Sequence, residues 1–359
     1  MRVSQFDYYL PPDLIAQSPA VPRDSARLLV YDRHSDTISH RHVRDLPELL
    51  PAPATIIANN SMVRHCRLWG KTAAGKRVEL FVLGKENEDY RCLLGGTGGQ
   101  QNLGRILLFA DKQLTCSTGL QADVLEAVAG PGMRTFFVRI TGNADVESAL
   151  ERFAELPLPP YISSRISDDE QYQTVFAKEL GSAAAPTAGL HFTPELIEKL
   201  KKRNISWNEV TLHVGLGTFL PLREDEIERN RLHTEQCYVS QETAVEANRE
   251  LPVVAVGTTS VRTLESHAVA GNVIPGWQQT EIFLTPNYAF QAVDVLITNF
   301  HQPKSSLLLL VAAFLGNDPE TKGVSKTPEQ MLELLQKIYA EAIRERYRFF
   351  SFGDAMLLL

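Results

Sequence analysis

Four histidines, at positions 191, 213, 233 and 301, lie in polar segments beside short β-rich runs of the chain. Imidazole titrates near neutrality, so histidines in such loops are candidates for moving protons. The run at 253–256 leads into Gly257-Thr258-Thr259-Ser260, and a helix is expected from about Val261 with Arg262 in its first turn. The free N–H groups of a helix N-terminus attract anions, and an arginine one turn in adds a bidentate clamp for carboxylate or phosphate. The plainer alternative is that Thr258, Thr259 and Ser260 only cap the helix and that each histidine is a hydrogen-bonded structural residue. His213, on the Glu209–Thr211–His213 face of its strand, would then line a polar surface.

Other chemistries lack their residues. No histidine pair has H-E-x-x-H spacing, and His233-Thr234-Glu235 is not followed by P-C-x-x-C, so no metal is expected. The cysteines at 66, 92, 116 and 237 form no C-x-x-C pair, lie outside these loops and read as free thiols of a reducing cytoplasm. There is no G-x-S-x-G elbow and no G-x-G-x-x-G dinucleotide fingerprint. The cluster Gly95-Gly96-Thr97-Gly98-Gly99 lacks the Lys-Ser/Thr of a phosphate-binding loop and reads as a turn. The longest apolar run, 307–315, is under half a membrane span, and the first residues lack the apolar core of a signal peptide.

The loops need elements to hold them. Runs at 210–214, 253–256 and 293–298 alternate with helical patterns, which argues an α/β domain with an at least partly parallel sheet. Loops after such strands gather at one edge, where ligands bind. Thr193-Pro194-Glu195 and Thr327-Pro328-Glu329-Gln330 are helix openings, the second carrying the stripe Leu335, Ile338, Ala342. Ser167-Asp168-Asp169-Glu170 predicts another helix, with Tyr172, Val175 and Phe176 on one face and Gly181 as its stop.

The texture differs between 60 and 150, which hold 12 of the 22 glycines. Between Asn60 and Arg105 eight basic residues face four acids, so this window is +4 within a chain of net charge −7. Short alternating runs at 62–68, 77–83, 89–94, 105–109, 113–117 and 133–140 suggest a small barrel or sandwich. The expected fold class is therefore α/β: a discontinuous main domain (1–60 and 150–359) with an inserted antiparallel β-barrel domain (61–149), closed by the stiff Pro157–Pro160 linker. At 359 residues, 44% hydrophobic and 22% charged, the chain suits two domains and excludes disordered or coiled-coil classes. An overall acidic balance excludes a whole-protein basic footprint for nucleic acid, though not a local one.

Six segments in order, AAPTAGLHFT at 184–193, TLHVGLGTF at 211–219, HTE at 233–235, VGTTSVR at 256–262, TNFH at 298–301 and FFSFGDAM at 349–356, resemble the S-adenosylmethionine:tRNA ribosyltransferase-isomerase family of the queuosine pathway. FDY at 6–8, IAQ at 15–17, RLL at 27–29 and LPLPPYI at 156–162 extend the resemblance along the whole chain. One departure lies in NNSMVRHCRL at 59–68, where Met62 replaces a basic residue; Arg64 could reach the same face. The resemblance implies an α/β domain with an inserted barrel. It implies transfer and isomerisation of the ribosyl part of S-adenosylmethionine onto 7-aminomethyl-7-deazaguanine at the tRNA wobble position, giving epoxyqueuosine and releasing adenine and methionine. On that basis His191, His213, His301 and Glu235 are the catalytic candidates. Thr258, Thr259, Ser260 and Arg262 would hold the methionine carboxylate. Glu235 and Glu281 would hold the ammonium or ribose hydroxyls, and Asn59, Asn60, Arg67 and Lys76 would face RNA. Expected partners are S-adenosylmethionine, as substrate rather than cofactor, and the tRNA; no membrane is expected, and a cytoplasmic monomer is. A methyltransferase would instead release S-adenosylhomocysteine, and a mere RNA-binding module would not need the histidine loops.

Overall fold

The computed structural model describes residues 1–96, 104–128, 134–143, 145–164, 168–215, 222–318, 321 and 323–359. Nine strands form the main sheet in the order Gly276–Thr280, Glu235–Val239, Ile205–Leu212, Ala54–Asn59, Val253–Val256, Val295–Asn299, Ala355–Leu358, Arg27–Asp32 and Thr37–His42. The four strands from Ile205–Leu212 to Val295–Asn299 are mutually parallel. The two strands at the Gly276–Thr280 edge join antiparallel.

The central strands are apolar at nearly every position because both faces of the sheet are covered. Ile57, Ala255, Leu296 and Met356 pack on one face against the helices Gly257–His267, Ser306–Leu315 and Pro328–Arg344. Their neighbours Ile56, Val254, Ile297 and Leu357 pack on the other, against the helix Pro194–Lys202. The apolar run near 307–315 is thus a buried core helix, and among the described residues no helix is long and apolar enough to cross a membrane. Local start signals hold: Thr193 accepts from Leu196 N–H, and Thr327 forms a capping box with Gln330.

The inserted segment is a closed antiparallel barrel of six strands, Arg67–Thr72, Arg77–Glu86, Asp89–Gly95, Arg105–Phe109, Ser117–Val128 and Thr135–Gly142. Alternate residues such as Leu68, Leu80, Cys92, Ile106, Leu120 and Val138 fill it, and the helix Val146–Phe153 plugs it with Ala149 and Leu150. Two runs differ from expectation. Residues 113–117 mostly belong to a turn in which Asp111 accepts from the N–H groups of Thr115 and Cys116. The run 62–68 is split, because Ser61–Val63 leaves the barrel and pairs in parallel with Glu179–Ser182.

That pairing also explains why the helix expected after Asp168 does not form. Asp168 caps only one 3-10 turn, Asp169–Tyr172. Gln173 then bonds both backbone groups of Val63, accepting from its N–H at 3.0 Å and donating to its C=O at 2.8 Å. The segment continues as a strand, and Gly181 lies inside it rather than ending a helix. A Cβ on Gly181 would sit 2.6 Å from the His213 ring, so its missing side chain makes room for that histidine. Ser167 and Thr97–Gly99 lie outside the described residues.

Where the parallel strands end, Asn59 replaces backbone pairing. Its amide nitrogen donates to Leu212 C=O at 3.1 Å, and its oxygen accepts from the N–H groups of Leu212 and Ser61 at 3.0 and 3.1 Å. Asn59→Ala would strand these buried groups, each costing about 1–3 kcal/mol. A loss of stability on the order of 3 kcal/mol is expected in urea titration, with little change in barrel circular dichroism.

Candidate active site

The C-terminal ends of the four parallel strands, Leu212, Asn59, Val256 and Asn299, lie at one edge of the sheet. A cavity opens there between the loops 184–188, 257–259, 298–305 and 350–351, with Tyr161 and Val214 at its margin. Of the candidate residues, Thr258, Thr259 and His301 line it directly.

The helix beneath starts at Gly257, four residues earlier than expected, and no side chain caps it. Gly257 has φ of +82°, and a Cβ there would approach Ala188 to 3.3 Å, so glycine lets the helix begin against the 184–188 loop. The first turn, without a side-chain cap among the described residues, carries its free N–H groups on residues that line the cavity. Thr259 Oγ1 is buried there with no hydrogen-bond partner among the described residues. Ser260 is different: it is wholly buried, and its hydroxyl turns back to donate to Val256 C=O. The expected role of Ser260 in a ligand clamp therefore has no geometric support.

Arg262 is also not an open clamp. It is buried and paired with Glu235, which additionally accepts from His233 Nε2 at 3.1 Å and from Gly215 N–H at 2.9 Å. Burial alone would raise the Glu235 pKa, but the Arg262 charge, helped by His233 and the Gly215 N–H, carries it well below the usual carboxylate range. Arg262 Nε and Nη2 remain buried without a partner among the described residues. Leu216–Phe219, part of the expected loop beside this pair, lies outside the described residues.

The histidines occupy three environments. His301 Nε2 shares a 2.9 Å hydrogen bond with Thr298 Oγ1. Its backbone is held on both sides, its N–H donating to the Tyr339 hydroxyl at 3.0 Å and its C=O accepting from the Tyr8 hydroxyl. Burial pushes its pKa down to about 3. His191 sits behind the cavity wall. Asn299 Nδ2 donates to its Nε2 at 3.2 Å, assigning the ring proton to Nδ1. Burial first, then the charges of Arg348 and Arg23, bring its pKa to about 4. His213 is half-buried beneath Trp277, and burial lowers its pKa against the opposing pull of Glu179.

Asn299 was not singled out from sequence, although TNFH contains it. Its Oδ1 accepts from Thr187 and its amide also donates to Phe350 C=O, so one side chain ties three loops of the cavity together. Other candidates lie elsewhere. Glu281 is exposed, accepts from Thr234 and does not line the cavity. Asn59 and Asn60 do not face a surface: Asn60 is buried between Thr211 and Glu209. Arg67, on the barrel, pairs with Glu79 at 2.5 Å and lies over Trp69. Lys76 is half-exposed at a turn of the same barrel. Arg67 and Arg91 pair with Glu79 and Glu86 inside the +4 window, and Lys85 and Arg105 pair with Glu147 and Asp123 outside it. Among the described residues no group of three or more His, Cys, Asp or Glu side chains could hold a metal.

The sequence pattern of the family described as queuosine biosynthesis protein matches residues 3–358. The chain belongs to that family. Its members include proteins named S-adenosylmethionine:tRNA ribosyltransferase-isomerase from Symbiobacterium thermophilum and Moorella thermoacetica, each 43% identical over the whole of both chains. The crystal structure of an S-adenosylmethionine tRNA ribosyltransferase from Thermotoga maritima is 32% identical, with a TM-score of 0.51 over 99% of this chain and 100% of that one. Membership of the queuosine biosynthesis family makes the chain an enzyme, and the mixed sheet with its barrel is the fold expected of it.

The Glu235–Arg262 pair permits a test that separates fold from site. Removing one partner of a buried pair costs roughly 3–5 kcal/mol, whereas replacing both with apolar residues is often neutral. Arg262→Ala should lower the melting temperature strongly. The double variant E235L/R262M should recover much of that stability while remaining inactive, as read by thermal unfolding and turnover on the same preparations.

Proposed function

We propose that the chain transfers and isomerises the ribosyl moiety of S-adenosylmethionine onto 7-aminomethyl-7-deazaguanine at the wobble position of tRNA, giving epoxyqueuosine-tRNA and releasing adenine and methionine. The observation that carries this reading is the cavity at the parallel strand ends, where an uncapped helix N-terminus and a neutral histidine face the same space. The names of the full-length relatives support it.

The residue types suit the chemistry. Sulfonium acidifies the hydrogens on the adjacent C5′, so a nearby neutral imidazole can accept one. His301 lines the cavity in its neutral form throughout the physiological range. We assign it the base role, with Thr298 orienting its ring. His191, behind the wall with its lone pair held by Asn299, is assigned a positioning role, fixing the Asn299 amide that lines the cavity. The methionine carboxylate would meet the open N–H groups and the Thr259 hydroxyl at the start of the helix Gly257–His267. Arg262 and Glu235 then act one turn below, holding that helix to the strand Glu235–Val239.

Incubation with S-adenosylmethionine and tRNA carrying the precursor base should yield adenine and methionine in equal amounts with the new nucleoside, read by mass spectrometry. S-adenosylhomocysteine as the product would overturn the assignment in favour of methyl transfer.

The neutral histidines also set a pH dependence. Unfolded, His191 and His301 would take protons as the pH falls through about 6.5; folded, they resist until about 4 and about 3. Over that window the unfolded chain binds more protons, so stability is full above pH 6.5 and is lost on acidification. The melting temperature should fall steadily from pH 7 to pH 4. His301→Gln should flatten that slope, and an unchanged slope would remove His301 from the explanation.

A further inference from the structure

The edge of the sheet beside the cavity carries a row of rings, and the outermost, Trp277, is largely exposed. Trp277 lies opposite Tyr238, and Tyr238 opposite Thr211, on three adjacent strands. His213, two residues beyond Thr211, follows on the same face. The ring of Trp277 lies 4.9 Å from that of Tyr238 at 28° and 6.1 Å from that of His213 at 23°, so the three are nearly parallel. The alternate residues Glu235, Cys237 and Thr280 are buried on the opposite face. Trp277 is nevertheless 59% exposed, while Trp69 and Trp207 are half-buried.

Two observations say what this row would receive. The first is continuity: His213 is followed directly by Val214, which lines the cavity and is tied to the neighbouring segment through Ser182 and Ala183. The row therefore runs from open solvent to the cavity rim. The second is its border. On the strands Glu235–Val239 and Gly276–Thr280 the exposed side chains beside the rings are Gln236 and Gln279, whose amides both donate and accept, while the Glu179 carboxylate lies near His213 at the inner end. A small π-surface edged by amides matches a heteroaromatic ring with polar edges better than it matches an apolar protein patch. Single-stranded RNA is commonly held in this way, its unstacked bases lying on aromatic side chains of a sheet.

We propose that Trp277, supported by Tyr238 and His213, stacks an unpaired base of the RNA substrate at the mouth of the cavity. The proposal rests on the reading of the chain as a tRNA-modifying enzyme and moves the main RNA contact from the barrel to the edge of the main sheet. Gly181 belongs to the same device, since any side chain there would strike the His213 ring that ends the row.

The test measures binding of a fluorescently labelled anticodon stem-loop by wild type, Trp277→Ala, Trp277→Phe and Tyr238→Ala, with S-adenosylmethionine affinity measured in parallel by calorimetry. Stacking of one base predicts that Trp277→Ala weakens RNA binding roughly 5- to 150-fold. Trp277→Phe should restore most of the loss, and S-adenosylmethionine affinity should stay the same in all four proteins. Because the Trp277 ring is largely exposed, the melting temperature should hardly move. Unchanged RNA affinity in Trp277→Ala overturns the stacking role while leaving the enzymatic reading intact. If that variant instead loses a wild-type self-association without losing RNA affinity, the row is a contact between copies and the proposal fails. Failure of the wild type itself to bind the stem-loop overturns the RNA reading and this proposal with it.

Discussion

Everything at the cavity depends on four parallel strands stopping at the same edge with their last backbone groups satisfied. A strand that ends in the interior leaves N–H and C=O groups that cannot stay unpaired. Two asparagine amides meet this constraint. Asn59 completes the pairing between Leu212 and Ser61, and Asn299 joins Thr187, His191 and Phe350. An amide offers a donor and an acceptor on one rigid plane, as the peptide group does. The loops can therefore diverge from the sheet and enclose a space. The cost is that these asparagines are committed to structure.

Around this frame the protein keeps ionisable groups in opposite states by opposite means. His191 and His301 are neutral because burial penalises their charged forms, and Arg23 and Arg348 reinforce this at His191. Glu235 is buried as deeply yet stays ionised, because Arg262, His233 and the Gly215 N–H favour its charged form. The first arrangement leaves a proton acceptor, His301, at the cavity. The second joins a helix to a strand. Similar burial thus yields a reactive group in one place and a fastening in another, and the difference lies in the partners within hydrogen-bonding distance.

Much of the architecture was legible in the sequence because it is written in local periodicity. Alternation marked most barrel strands, and Thr193 and Thr327 marked helix starts whose hydrogen bonds close within three residues. What the sequence concealed was set by distant partners. Asp168 signals a helix, but Gln173 finds Val63, 110 residues away, and the chain extends instead. Arg262 reads as a free clamp until Glu235 is brought against it from 27 residues upstream. The resemblance implied that Asn59 and Asn60 face RNA, and only the register of Ile205–Leu212 beside Ala54–Asn59 turns them inward. The histidine loops were legible as a group because strand ends gather them. The importance of Asn299 was not, since its partners lie in two distant segments, Thr187 and His191 in one and Phe350 in the other.

The position of the strand Ala355–Leu358 bears on how the protein is made. It lies between Val295–Asn299 and Arg27–Asp32, and among the described residues of the sheet it alone links the Arg27–His42 hairpin to the other six strands. On the ribosome that hairpin emerges more than three hundred residues before its neighbour, leaving an apolar edge unpaired until residues 355–358 are made. The barrel, whose strands all fall between Arg67 and Gly142, can close long before. The nascent chain would therefore carry a finished barrel on an open sheet, and the waiting edge is the stretch most in need of a chaperone.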